Sequence, residues 1–172
     1  MDLLHLHLML NHLPVVGVII GFFVLLAAEI WRSRLFSLVG SLLLISGAII
    51  ALPVYFTGLS SEEAVEGLPG VTEISIDQHE GAALISLGLA ILAGVFAAAC
   101  LVFYRRSWVS LRGYLVTATL LIALLAGTSM FRTANLGGQI RHTEIHPTGS
   151  LDGPDNGRPK ETRHHDADND ER

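Results

Sequence analysis

Apolar and polar positions divide the chain into four long apolar runs, roughly 13–30, 35–56, 82–104 and 114–131, separated by shorter polar stretches. Each run reaches or approaches the ~20 residues that an α-helix needs to cross a hydrocarbon core ~30 Å thick. In lipid the backbone must pair its polar groups within the segment, so runs of this length predict transmembrane helices. Only a few residues around Arg32 to Arg34 join the first two runs, and residues 105–112 join the last two. Connections this short hold antiparallel neighbours together. The expected fold class is all-α: an integral membrane four-helix bundle running up-down-up-down. Residues 1–147 make the transmembrane domain. Beyond about Thr148, Gly, Pro, Asp, Asn and charge dominate, so residues 148–172 are expected to be a disordered polar tail that cannot bury enough apolar area to fold.

Composition agrees with the pattern. Hydrophobic residues make up 51% of the chain against 16% charged, outside the range of soluble domains. The formal net charge of −5 gives no basic surface for nucleic acid. The single cysteine, Cys100, lies inside an apolar run, which removes a disulfide framework and any Cys-based zinc or iron–sulfur site. Metal chemistry would have to rest on histidine. The N-terminus has no basic stretch ahead of its apolar run, and that run is too long for a signal-peptide core, so the first span is expected to remain in the product.

Charge also sets the expected orientation. Arg32, Arg34, Arg105, Arg106 and Arg112 fall in the two short turns, whereas the loop 57–78 carries Glu62, Glu63, Glu66, Glu73 and Asp77 with no Lys or Arg. The positive-inside rule puts the turns in the cytoplasm, with the acidic loop and both termini outside, in a bacterial inner membrane. Trp31 and Trp108 fit an aromatic belt at the cytoplasmic boundary. Within the loop, Ser60-Ser61-Glu62-Glu63 reads as the start of a short surface helix over about 61–66. Glu29, beside Trp31, reads as a carboxylate snorkelling to the interface. Gly137-Gly138 reads as the end of the fourth helix.

The chemistry lies in the eight histidines, His5, His7, His12, His79, His142, His146, His164 and His165, every one of which falls on the outer side in this topology. At about 100° per residue, His5, Met9 and His12 share one face of a helix, while His7 and Asn11 share the opposite one. Either the regular span begins near Pro14 with His12 just outside it, or the helix starts near Leu3 and kinks at Pro14. His142 and His146 have the i, i+4 spacing of a two-imidazole face, and His164 and His165 lie in the polar tail.

Helix 1 carries Gly17 and Gly21, helix 2 Gly40 and Gly47, and helix 3 Gly81, Gly88 and Gly94, the small residues that let membrane helices approach closely. A weak internal repeat is also visible. His12 precedes Gly21 by nine residues as His79 precedes Gly88, and both helices end in an aromatic residue followed by arginine. Two duplicated hairpins would make His12 and His79 equivalent.

In an up-down bundle helices 1 and 3 lie on a diagonal, roughly 11–14 Å apart if neighbouring axes are 8–10 Å apart. Histidines facing across that gap can bracket a haem iron axially. His12 and His79 are therefore the expected ligands of a haem b. Arg132, at the outer end of helix 4, would pair with a propionate, and Asn11 or Glu80 would orient a ring. The competing expectation is a copper or zinc site drawing on His12 and His79 with His5, Met9 and His142, in which the thioether of Met9 favours copper(I).

The order His12-Leu13-Pro14, then His79, then Gly137-Gly138 resembles an uncharacterised bacterial family of small predicted four-helix membrane proteins, over about residues 1–145. More loosely, through architecture and paired histidines, the chain is similar to four-helix b-type cytochromes that anchor redox enzymes. That likeness implies electron transfer between membrane quinone and a periplasmic redox protein or larger membrane complex. No histidine lies on the cytoplasmic side, so a second haem and a full transmembrane relay are not expected. No catalytic constellation is present either, which favours an electron-transfer or accessory subunit, or a structural subunit of a membrane complex, over an independent enzyme.

Overall fold

The computed structural model describes residues 3–61, 71–104 and 109–141. Its helices are α1 (Leu3–Leu10), α2 (His12–Trp31), α3 (Arg34–Leu59), α4 (Glu73–Tyr104) and α5 (Val109–Arg141). Four of the resulting rods are long and apolar enough to cross a membrane, counting α1 and α2 as one from His5 to Trp31. The chain is an all-α, multi-pass membrane bundle. Each long helix packs on its neighbours in sequence, and α5 closes the ring against α2, so α2 and α4 face one another across the diagonal.

The helix starts near Leu3, as in the second of the two starts open to the sequence, and its regular pairing is interrupted at Asn11. Asn11 keeps right-handed helical angles, φ −59° and ψ −25°, and its N–H donates to the carbonyl of His7 at 2.9 Å. Pro14 accounts for the interruption: it brings no N–H to the carbonyl of Leu10, and its ring crowds that carbonyl.

Two helices are longer than their apolar runs. α4 begins at Glu73, well before residue 82, because Thr72 and Ser75 cap it reciprocally. The N–H of each donates to the hydroxyl of the other at 3.2 Å. α5 runs through Gly137 and Gly138 to Arg141, so these glycines do not end the helix as the sequence suggested. At ~1.5 Å per residue, α4 (32 residues) and α5 (33 residues) exceed a hydrocarbon core by many ångströms and carry the end of the bundle that holds Glu73 and Arg141 beyond it.

The α2–α3 turn is closed by Arg32, whose φ of 51° is left-handed and whose N–H bonds to Ala28 O. The hydroxyl of Ser33 then accepts from Phe36 N and opens α3. Ser61 lies in a turn, and the rest of the expected surface helix, 62–66, falls outside the described residues. Trp108, Arg105, Arg106, His142, His146, His164, His165 and the tail 148–172 also fall outside them.

The buried seams of the two hairpins share one spacing. In α2 the buried positions are Pro14, Val18, Gly21, Leu25 and Ala28. Adding 72 to each number gives Ser86, Ala90, Ala93, Ala97 and Cys100, all buried in α4. In α3 the seam includes Ser37, Gly40, Leu44, Gly47 and Ala51. Adding 79 gives Val116, Thr119, Ala123, Ala126 and Met130, all buried in α5. Alternating steps of three and four residues are what a left-handed bundle seam requires. In this register the position equivalent to His79 is His7, five residues before His12.

Candidate functional site

Carried one step further, the same seams run to the end of the bundle that holds Glu73 and Arg141. Upstream of Pro14, the step of three and then four reaches Asn11 and His7; the corresponding positions in α4 are Ala83 and His79. Downstream of Ala51, α3 continues to Val54 and Gly58, and α5 continues past Met130 to Thr133 and Gly137.

These residues form two matching sets of contacts. His7 Nδ1 lies 2.9 Å from the carbonyl of Val54, and His79 Nδ1 lies 3.1 Å from the carbonyl of Thr133. A carbonyl can only accept, so in each neutral ring Nδ1 carries the proton and Nε2 keeps a free lone pair. One turn beyond each carbonyl the ring rests on a glycine. A Cβ on Gly58 would lie 3.0 Å from His7 Cε1, and one on Gly137 would lie 2.9 Å from His79 Cε1. The glycine expected to terminate α5 is thus held in the helix as the bed of an imidazole.

The two rings belong to rods on the diagonal of the bundle. Both are half-buried. On the rod of His7, Asn11 Oδ1 is buried without a hydrogen-bond partner among the described residues.

The surroundings differ between the halves. Near His7, the hydroxyl of Thr57 donates to Pro53 O at 2.8 Å and approaches Val54 O at 3.0 Å. Below His79, Ser86 Oγ lies 2.8 Å from Ser129 Oγ and 2.9 Å from Thr133 Oγ1, and Thr133 donates back to Ser129 O. These hydroxyls fasten α4 to α5 one to two turns below the ring. At the opposite end of the bundle, Arg112 Nη2 donates to Glu29 Oε1 at 2.9 Å, so the carboxylate read as snorkelling is an ion-pair partner between α5 and α2. Between them, the α2–α5 seam leaves an apolar groove of about 290 Å³ lined by Phe22, Phe23, Leu124 and Phe131, among others.

The other residues singled out from the sequence lie elsewhere. His12 is exposed, as are His5 and Met9, and His12 has no contact with His79 among the described hydrogen bonds. Arg132 is exposed on α5 next to Thr133, and Glu80 is half-buried beside His79. His142 lies outside the described residues. His7 is the functional candidate that sequence reasoning passed over. The signal for it was present: counting back from Pro14 by three and four lands on Asn11 and His7, never on His12.

The donor set narrows the chemistry. A structural zinc site uses four protein donors and a catalytic one three, and no group of three His, Cys, Asp or Glu residues able to hold a metal occurs among the described residues. Each of the two imidazoles, bound through Nδ1, keeps its Nε2 available as a donor. No family model, curated protein or solved structure matches the chain. The likeness to a bacterial membrane family therefore rests on the quoted motifs alone, and the fold is that of a small four-helix membrane protein.

Proposed function

We propose that His7 and His79 are the axial ligands of a single haem b at the outer end of the bundle. The chain would then pass electrons between membrane quinone and an extracytoplasmic partner. The observation that carries this reading is the matched pair of rings on diagonal helices, each pinned through Nδ1 to a carbonyl of the next helix. Such a bond fixes the tautomer and orientation of a ligating histidine and raises its basicity. The glycine beneath each ring leaves room for the imidazole edge. Asn11 Oδ1, buried and lacking a donor, suits a bound group that supplies a hydrogen. When bound, haem supplies a one-electron carrier whose potential is set by its axial ligands, hydrogen bonds and burial.

In this reading the protein's own residues do three things. His7 and His79 hold the iron, Val54 and Thr133 aim the rings, and Arg132 offsets a propionate charge. The α2–α5 groove gives the apolar tail of a quinone a lipid-facing seat. With the arginine-bearing turns inside, the site faces the extracytoplasmic side of a bacterial inner membrane.

Purified in detergent from haem-replete cells, the full chain is expected to carry one haem per molecule. Its spectrum should be six-coordinate and low-spin, both oxidised and dithionite-reduced. A chain that folds but shows no Soret band contradicts the assignment. For orientation, a reporter fused after Glu73 should be active only outside the cytoplasm, and cytoplasmic activity would reverse the topology.

A further inference from the structure

Three donors remain on the opposite face of the same rod. His5, Met9 and His12 are all exposed, Met9 at 58%, and none is tied by a hydrogen bond or ion pair to another described residue. The interruption at Asn11 does not separate them, since Asn11 keeps helical angles and its N–H reaches the His7 carbonyl. At ~100° and ~1.5 Å per residue the three fall within about 60° of arc and about 10 Å of rod, with Met9 in the middle. Side chains three and four residues apart on a helix are neighbours, so both imidazoles can close over the thioether.

We propose that His5, Met9 and His12 form a copper(I) site on the outward face of the α1–α2 rod, separate from the inward pair His7 and His79. The chemistry of the donors selects the metal. A thioether is soft and favours copper(I), whereas zinc would find only two useful imidazoles here. Position supports access: the rod from His5 to Trp31 is 27 residues long, longer than the ~20 needed to span the hydrocarbon core. Its first turns therefore stand where an aqueous metal can reach them. The site also lies outside the duplicated architecture. The positions equivalent to His5, Met9 and His12 in the second hairpin are Asp77, Gly81 and Leu84, which offer no nitrogen or sulfur donor.

The test is an anaerobic titration of the full chain in detergent with copper(I), against a chromogenic copper(I) chelator. Wild type is expected to retain one tightly held equivalent. Met9→Leu, His5→Ala and His12→Ala should each weaken it by more than ~10-fold. His7→Ala and His79→Ala should leave it unchanged. Because the three side chains are exposed, the variants should fold as wild type does, and Met9→Leu keeps the apolar character of its position. Absence of tight binding, or loss of it in a His164→Ala/His165→Ala chain instead, overturns the proposal. So does retention in Met9→Leu. None of these outcomes depends on whether haem is present.

Discussion

The two hairpins reach the same outer geometry by different packing. In the first, α2 and α3 close backbone to backbone through glycine: a Cβ on Gly40 would lie 2.7 Å from Leu25 N, and one on Gly21 would lie 3.1 Å from Leu44 N. At the equivalent positions the second hairpin has Thr119 for Gly40 and Ala93 for Gly21, with Ala97 for Leu25 and Ala123 for Leu44. Where one half pairs glycine with leucine, the other pairs small residues with each other and adds hydroxyl contacts. The two seams thus fill the space between their helices with different residues, as close packing permits. What does not vary is the outer unit of histidine, carbonyl and glycine.

The largest expected effect breaks the shared unit. Gly58→Ala and Gly137→Ala should each push an imidazole off its carbonyl and lower haem affinity by about 10-fold or more. Helix formation should not suffer, because alanine is the better helix former by ~1 kcal/mol. Equal losses of low-spin absorbance in the two variants are expected of equivalent halves, and a loss in only one would show that the halves are not equivalent.

Stability should separate the halves where packing does. Gly40→Ala forces a Cβ onto the backbone of Leu25 and is expected to cost ~1–3 kcal/mol, read as a lower unfolding midpoint in detergent. Gly88→Ala, with open space around it, should cost nothing, and equal costs for the two would contradict the packing described. Ser86→Ala removes a hydroxyl contact that the first hairpin lacks, since Pro14 stands there. Its expected cost is ~0.6 kcal/mol, typical of an interhelical hydrogen bond in a membrane protein. The smallest effect belongs to Arg132, whose equivalent in the first hairpin is Pro53. Arg132→Ala should lower the midpoint potential by on the order of 20 mV, because an exposed positive charge favours the reduced haem only weakly through a water-like dielectric.

Much of this architecture was legible in the sequence. Four apolar runs, two short arginine-bearing turns and the diagonal relation of helices 1 and 3 all follow from length and charge. The separation of His5, Met9 and His12 from His7 and Asn11 onto opposite faces was legible too. Which face turns inward was not, because an apolar rod in lipid is apolar all round and its hydropathy does not mark the seam. Spacing back from Pro14 does mark it, once the buried register of α2 is known. The correspondence read from the sequence lies five residues from the buried one because Gly21 and Gly88 were matched, although Gly88 faces outward with nothing within 4 Å while Gly21 packs against Leu44. The extra turns of α4 and α5 were hidden for a simpler reason: Glu73, Asp77 and Asn135 are polar, so hydropathy stops where lipid stops and the helix does not.

The central claim is that His7 is the partner of His79. Reduced-minus-oxidised spectra of His7→Ala and His12→Ala, compared with His79→Ala at matched protein content, test it most directly. The account predicts that His7→Ala and His79→Ala both lose the six-coordinate low-spin signal, while His12→Ala keeps it at the wild-type intensity. A signal that survives in His7→Ala and disappears in His12→Ala would contradict it.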